Sequence, residues 1–325
     1  MAMRRMLGLA ALTAVAMALA APAWAQAYPS KTIHIVVTAP PGGITDTLAR
    51  ALAQKLTESW GQQVIVENKP AGAGHIGMDY VAKSTPDGYT LVVTPDASFV
   101  VNPHLYSKLT YDPIGDFIPV SGLGISPQAV LVHPAVPADT FNELVELGKK
   151  KPGELNYATF GIGTSSHLNI TLLENLTGAK FTPVHYRGAA PAITDLLGGH
   201  IQMMLVAVGL IQQHWQAGKV KVLGFGSSAR LPQYPDVPAV AESLPDFAAG
   251  SWYGLAAPKG TPREIVDKLS TETQKIFSDP AFREKYLAPA VTLSIASSPE
   301  KFSERINADL AKWGKVIKDA NVKVE

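Results

Sequence analysis

Two short stretches carry most of the chemistry this sequence offers. "PPGGITD" runs from Pro40 to Asp46 and "GIGTSSH" from Gly161 to His167; each sets glycines and small hydroxyl residues ahead of a helical pattern. A helix start presents unpaired N–H groups and a partial positive charge. Glycine turns let an anion approach them. Thr45 adds a hydroxyl to the first loop, and Thr164, Ser165 and Ser166 add three to the second. The chemistry on offer is anion binding, and a phosphate, a carboxylate or a neighbouring chain segment satisfies it. A nucleotide fits poorly. "PPGG" lacks a Walker lysine, and "GIGTSS" keeps only the first two glycines of a G-x-G-x-x-G fingerprint.

Catalytic readings are weaker. Ser165, Ser166 and His167 are adjacent, so their side chains diverge instead of forming a nucleophile–base pair. His167 reads as a cap or pocket wall before it reads as a base. Asp46 and Asp195, a candidate acid pair, both fall in helix patterns where capping and surface roles account for them. The eight histidines show no HExxH or paired metal spacing, and the absence of cysteine excludes disulfides, thiolate metal sites and cysteine nucleophiles. Arg187, in "HYRGAA", suits either a clamp for an acid or a surface position beside the turn at Gly188.

The elements that must position these loops alternate strand with helix. "KTIHIVV" (Lys31 to Val37) predicts a strand, and Leu48, Leu52, Leu56 and Trp60 predict an amphipathic helix ended by Gly61. "QVIVEN" and "YTLVVT" are the next strands. The middle of the chain repeats the pattern. A Thr140–Glu143 capping box opens a helix, "LNYATFG" leads into the second loop, and Leu168, Leu172 and Leu176 mark the helix after it. "TPVHY", "IQMMLVAV" and "VKVLGFG" supply further strands. "SWYGLAAP" is strand-like, Thr261-Pro262-Arg263-Glu264 is a helix start, and Ser298-Pro299 opens a helix striped by Phe302, Ile306, Leu310, Trp313 and Ile317. This alternation predicts two α/β lobes, each with a parallel sheet covered by helices. The chain leaves the first lobe near Pro127 and returns near Trp252, giving a two-stranded hinge. The lobes are residues 26–127 with 252–325, and 128–251. Ligands of open α/β sheets sit at the carboxyl ends of strands, which places both loops on one cleft.

The composition agrees. With 46% apolar and 17% charged residues, 325 residues make a core-forming chain of two ordinary domains. Arg4 and Arg5, the apolar run Met6 to Ala20, and Ala23 and Ala25 of "APAWA" form a secretory signal peptide over residues 1–25, cut before Gln26. The run is shorter than the roughly 20 residues a membrane span needs. Losing the two arginines takes the formal charge from +1 to −1. A near-neutral protein has no electrostatic case for nucleic acid.

At family level, "YPSKTIHIVV…PPGGITDTLAR", "GQQVIVENKPAGAGHIGMDYVAKSTPDGYTLVV", "NPHLY…YDPIGDFIPV", "GTSSHL", "HYRGAAPAITDLLGGHIQMM" and "WYGLAAPKGTP" resemble the Bug-type periplasmic substrate-binding proteins, the solute receptors of tripartite tricarboxylate transporters. The match runs in order from about Tyr28 to the C-terminus. The resemblance implies a type II, Venus-flytrap receptor that is soluble in the periplasm, monomeric and without a cofactor. It implies that a small carboxylate, either a dicarboxylate or an aromatic carboxylate, is held by backbone amides and hydroxyls from both lobes. It also implies delivery to a large and a small membrane subunit. Carried over by motif, Pro41, Gly42, Gly43, Ile44, Thr45 and Asp46 form the first cradle, and Thr164, Ser165, Ser166 and His167 the second. Gly188, Ala189, Ala207 and Val208 follow later strands of the second lobe, and Ser98 follows "TPDA" in the first. One departure is Ala39, where the family often has an aromatic ring. Its loss predicts room for a bulkier acid unless Phe99 or Trp252 fills the space. The rival reading is a secreted enzyme acting on a small organic acid.

Overall fold

The computed structural model describes residues 28–70 and 74–322. The expected signal peptide at 1–25 lies outside the described residues. Strand β1 (Ile33–Val37) sits between β2 (Val64–Asn68) and β3 (Thr90–Pro95), parallel to both. Ile33, Ile35, Val36 and Val37 are wholly buried, as expected of a parallel strand covered on both faces. Each such side chain contributes about 1.5–3 kcal/mol by leaving water. Helix α1 (Ile44–Trp60) lays Leu48, Leu52 and Leu56 on this sheet and ends at Gly61, whose φ of 67° is left-handed. Helix α2 (His75–Ala82) follows β2, and two single turns, α3 (Ala97–Val100) and α4 (Asn102–Leu105), follow β3.

Strand β4 (Phe117–Val132) is the longest, at 16 residues. Next come α5 (Phe141–Lys150), β5 (Asn156–Thr159), α6 (Ser165–Thr177), β6 (Thr182–His185), α7 (Ala189–Leu197), β7 (Met203–Ala207), α8 (Val208–Gln216) and β8 (Lys221–Phe225). Strands β5, β6 and β7 are parallel. Strand β9 (Gly250–Pro258) returns antiparallel to β3 and β4. Helix α9 (Arg263–Ser278), the two-residue strand β10 (Leu293–Ser294) and helix α10 (Pro299–Asp319) complete the fold.

The two sheets share β4. Its residues Phe117 to Pro127 pair with β9, Gln128 to Val132 with β7, and Ala129 to Val132 also with β8. The principal strand order is β2-β1-β3-β9-β4-β7-β5-β6. One continuous strand therefore crosses from lobe to lobe, where the sequence marked only an exit near Pro127. Thr140 and Glu143 form the expected capping box. Thr261 does not cap α9. Its hydroxyl donates to the Pro258 carbonyl at 2.8 Å, closing the preceding turn, and the helix begins at Arg263 without a side-chain cap. Phe302, Ile306, Trp313 and Ile317 of α10 are buried in the larger core. Among the described residues no helix is long and apolar enough to cross a membrane.

Candidate ligand-binding site

Six helices begin at the carboxyl ends of parallel strands. In the first lobe α1, α2 and α3 follow β1, β2 and β3; in the second α6, α7 and α8 follow β5, β6 and β7. At five of these starts the N-cap side chain makes no hydrogen bond to its helix: Gly43, Gly74, Thr164, Gly188 and Ala207. The exception is Asp96, which accepts the Ala97 N–H at 2.9 Å. Elsewhere in the chain, α5 and α10 are capped by Thr140 and Ser298, and α9 starts without a side-chain cap. Uncapped first-turn amides are gathered along the carboxyl edges of both sheets, where an anion can complete them.

In the first loop Pro41, Gly42 and Gly43 are exposed, Ile44 is half-buried, and Thr45 and Asp46 are buried. Gly42 has a φ of 81°, which requires glycine, and donates its amide to Asp46 Oδ2 at 2.9 Å. Asp46 also accepts from Arg50 Nε at 3.0 Å and from Asn68 Nδ2 at 2.9 Å. Burial pushes the Asp46 carboxyl up, but hydrogen bonds from Arg50, Gly42 and Asn68 outweigh it and hold the pKa below the usual value. The carboxylate thus braces the loop, and its effect on a ligand runs through the backbone it fixes. Gly43 differs from Gly42. Its φ of −80° and ψ of 174° suit any residue, and a Cβ there would meet only the Pro40 carbonyl, at 3.8 Å. Deeper in the lobe, Thr94 donates to Ser98 Oγ at 2.7 Å and lies 2.6 Å from Thr38 Oγ1, so Thr38 donates to Thr94 in turn. All three hydroxyls are buried.

The second loop divides its hydroxyls between two tasks. Thr164 donates to the Gly161 carbonyl at 2.7 Å. Ser166 lies 3.0 Å from Thr164 Oγ1 and accepts the Phe160 N–H at 3.0 Å, so both of its roles are taken up inside the loop. His167 Nδ1 accepts the Gly163 N–H at 3.2 Å. Burial, with His185 nearby, lowers the His167 pKa, so the neutral ring carries its proton on Nε2. Ser165 alone is half-exposed with its O–H uncommitted; its oxygen accepts from Gln128 Nε2 at 3.0 Å. Gln128 is absent from the sequence-based set. The only hint was one amide in the apolar run "ISPQAVLV".

The lobe crossing brings several of these residues together. Gln128 pairs in register with Ala207, and Ser126, two residues earlier, pairs with Ser251. Ser251 donates to Asp96 Oδ1 at 2.6 Å, two residues before Ser98. Gly163 rests on α4, since a Cβ there would fall 2.2 Å from Leu105 Cδ1. Val208 is buried, at 1% exposure, and so supplies no exposed side chain to the rim. Gly188 and Ala189 follow β6, the edge strand furthest from the crossing, and Arg187 beside them is exposed. Asp195 accepts the Tyr186 hydroxyl at 2.8 Å within the second lobe, so it forms no acid pair with Asp46. Phe99 and Trp252 are core residues, stacked at 6.2 Å with 0% and 2% exposure.

Asp96 gives the crossing a pH dependence. Burial, with Asp309 nearby, pushes its pKa up to about 7, and the Ser251 bond opposes the rise. The folded-state pKa is raised, so the protonated form favours the fold. Stability is greatest below the unfolded value near 3.8 and falls as pH rises towards 7. Asp96→Asn keeps an oxygen for Ala97 and Ser251 and removes the charge. Thermal melts should show it more stable than the parent by about 1–2 kcal/mol at pH 8 and near parity at pH 4. A variant less stable at pH 8 would mean that the Lys312 ammonium already compensates the carboxylate.

Two lobes whose parallel strands are extended into mixed sheets by the antiparallel β4 and β9, instead of the purely parallel sheets expected, with open helix starts along their carboxyl edges, define a two-lobed periplasmic-binding-protein fold. Residues 48–322 match the family model described as "Tripartite tricarboxylate transporter family receptor". Protein BugT of Bordetella pertussis is 33% identical over 327 residues, spanning 100% of both chains. The solved structure "R. palustris Rpa4515 with adipate" is 30% identical, with a TM-score of 0.78 over 91% of this chain and 100% of that one. MatC from Rhodopseudomonas palustris with bound malate is 30% identical, with a TM-score of 0.73 over 89% of this chain and 100% of that one. The chain belongs to the tripartite tricarboxylate transporter receptor family. It is a solute-binding receptor, which sets aside the rival reading of a secreted enzyme.

Proposed function

We propose that this chain binds a small carboxylate between its lobes in the periplasm and delivers it, as a monomer, to a large and a small membrane subunit. The observation that carries the reading is the five uncapped helix starts at the carboxyl edges of both sheets. Thr45 of the first loop and Ser165 of the second supply hydroxyls, and Ser98 lies deeper. The adipate and malate bound by the two relatives support a dicarboxylate. The small side chain of Ala39, where the family often has an aromatic ring, supports extending the search to aromatic acids. The change of partner strand after the Pro127–Gly250 pair supports lobes of 26–127 with 252–325, and of 128–251.

One experiment tests this. The full chain is expressed, and the mature protein is purified from the periplasmic fraction, where N-terminal sequencing should begin at Gln26. It is then melted against di-, tri- and aromatic carboxylates. A true ligand at a hundredfold excess over its Kd adds about 2.7 kcal/mol. Mass spectrometry should recover that ligand unchanged, and small-angle scattering should show a monomer that contracts. No stabilisation across the panel, or a chemically altered acid, would overturn the reading.

A further inference from the structure

We infer that Gln128 is a positioning residue that commits Ser165 to donating a hydrogen bond, and so sets the second loop to receive a deprotonated acid. The inference rests on the carboxylate-receptor reading above. Gln128 is only 5% exposed, at the residue where β4 passes between sheets. Every polar group it has is engaged. Its backbone N–H donates to the Ala249 carbonyl at 3.0 Å, and its carbonyl accepts the Gly226 N–H at 2.7 Å. Its side chain donates through Nε2 to Ser165 and accepts through Oε1 from Asn169 Nδ2 at 2.8 Å.

The direction of this relay follows from what it leaves unpaired. Asn169 is wholly buried, one helical turn after Ser165, and its Oδ1 has no partner among the described residues. Reversing both amides would let Ser165 donate to Gln128 and would strand the Asn169 NH2 group instead. A buried carbonyl-type oxygen is a cheaper orphan than a buried pair of N–H donors. The relay therefore runs from Asn169 to Gln128 to Ser165. Having accepted from Gln128, Ser165 turns its O–H outward. A carboxylate oxygen matches that donor, whereas an ammonium or amide N–H could use only the second lone pair of the hydroxyl and would leave its O–H without an acceptor. In the first lobe Thr94 likewise donates to Ser98, which is buried at 1% exposure.

Gln128→Glu tests the relay with little change of shape. The ionised side chain has no donor. It can accept from Asn169 as before, takes the Ser165 O–H for itself and places a negative charge behind the loop. Affinity for the tightest carboxylate in the panel should fall about 100-fold at pH 8. It should recover most of that loss by pH 5.5, because a buried glutamic acid protonates early and donates again. His167 and His185 lie near the same loop in parent and variant alike, so the variant-to-parent ratio is read at each pH. Gln128→Met removes the donor without adding charge. It should weaken binding about fivefold alone and less than twofold on a Ser165→Ala background. Gln128→Met also carries the test if the charged variant fails to fold. Full binding by Gln128→Glu at pH 8, a loss that ignores pH, or additivity of Gln128→Met with Ser165→Ala each overturns the inference. A parent that binds no carboxylate overturns the receptor reading itself, a result distinct from these.

Discussion

Gly43→Val should fold as the parent does and bind carboxylate at least a hundredfold more weakly. Both halves of that result come from the backbone. The φ of −80° and ψ of 174° at Gly43 lie in the extended region that a β-branched residue adopts readily. The protein presents no atom closer than 3.8 Å to a Cβ there. Chain packing therefore does not require this glycine. A valine's methyl groups would stand over the first-turn amides near Ile44 and Thr45, where the proposed carboxylate sits. Two hydrogen bonds to a charged group, at about 1.5–3 kcal/mol each, cover more than a hundredfold. Gly42→Val is the contrasting variant. Its φ of 81° strains any side chain and disturbs the amide held by Asp46, so it mixes folding with binding. Circular dichroism and titration calorimetry separate the two. A folded Gly43→Val that binds like the parent would move the cradle elsewhere.

The loops were legible in the sequence because their signals are local. Apolar alternation marked β1, leucines four apart marked α1, and glycines between them marked the turn. The roles within the loops were less legible. Ser166 and Ser165 are adjacent hydroxyls at one helix start, yet one is consumed by Thr164 and Phe160 and the other is left to donate. That division depends on Gln128, 37 residues away along the chain. No spacing rule connects them, because the contact is made by a strand that belongs to both sheets. Asp46 was legible as a helix-start acid, but its work as a brace needs Asn68 from the next strand. Thr261 shows the opposite limit. Its sequence has every mark of a cap, yet the helix begins one residue further on, with Pro262 at the N-cap, and the Thr261 hydroxyl closes the preceding turn.

The core at the crossing is equally hard to read from spacing, and it supports the second large effect. Gly254→Ala should destabilise the protein by about 3 kcal/mol, seen as a lower urea midpoint with an unchanged slope. Gly254 lies in β9, opposite Thr94 of β3 and Gly122 of β4. A Cβ there would come 2.0 Å from Cζ of Phe302, which is wholly enclosed on α10. Phe302 has little freedom to move aside. Its ring meets Trp252 edge-on at 5.3 Å, Trp252 stacks on Phe99, and Trp252 Nε1 donates to Asp309 at 2.7 Å. A shift of α10 would therefore press on Phe99, the neighbour of Ser98, and on the Trp252 carbonyl that accepts the Asp96 amide at 2.8 Å. Phe302→Leu alone opens a cavity and costs about 1–3 kcal/mol. Combined with Gly254→Ala it supplies the missing space, so the double variant should be more stable than the sum of the two losses by at least 1 kcal/mol. Strict additivity, or a Gly254→Ala as stable as the parent, would show that α10 can retreat from the sheet. The contact between Phe302 and β9 would then not be what fixes the helix beside the crossing.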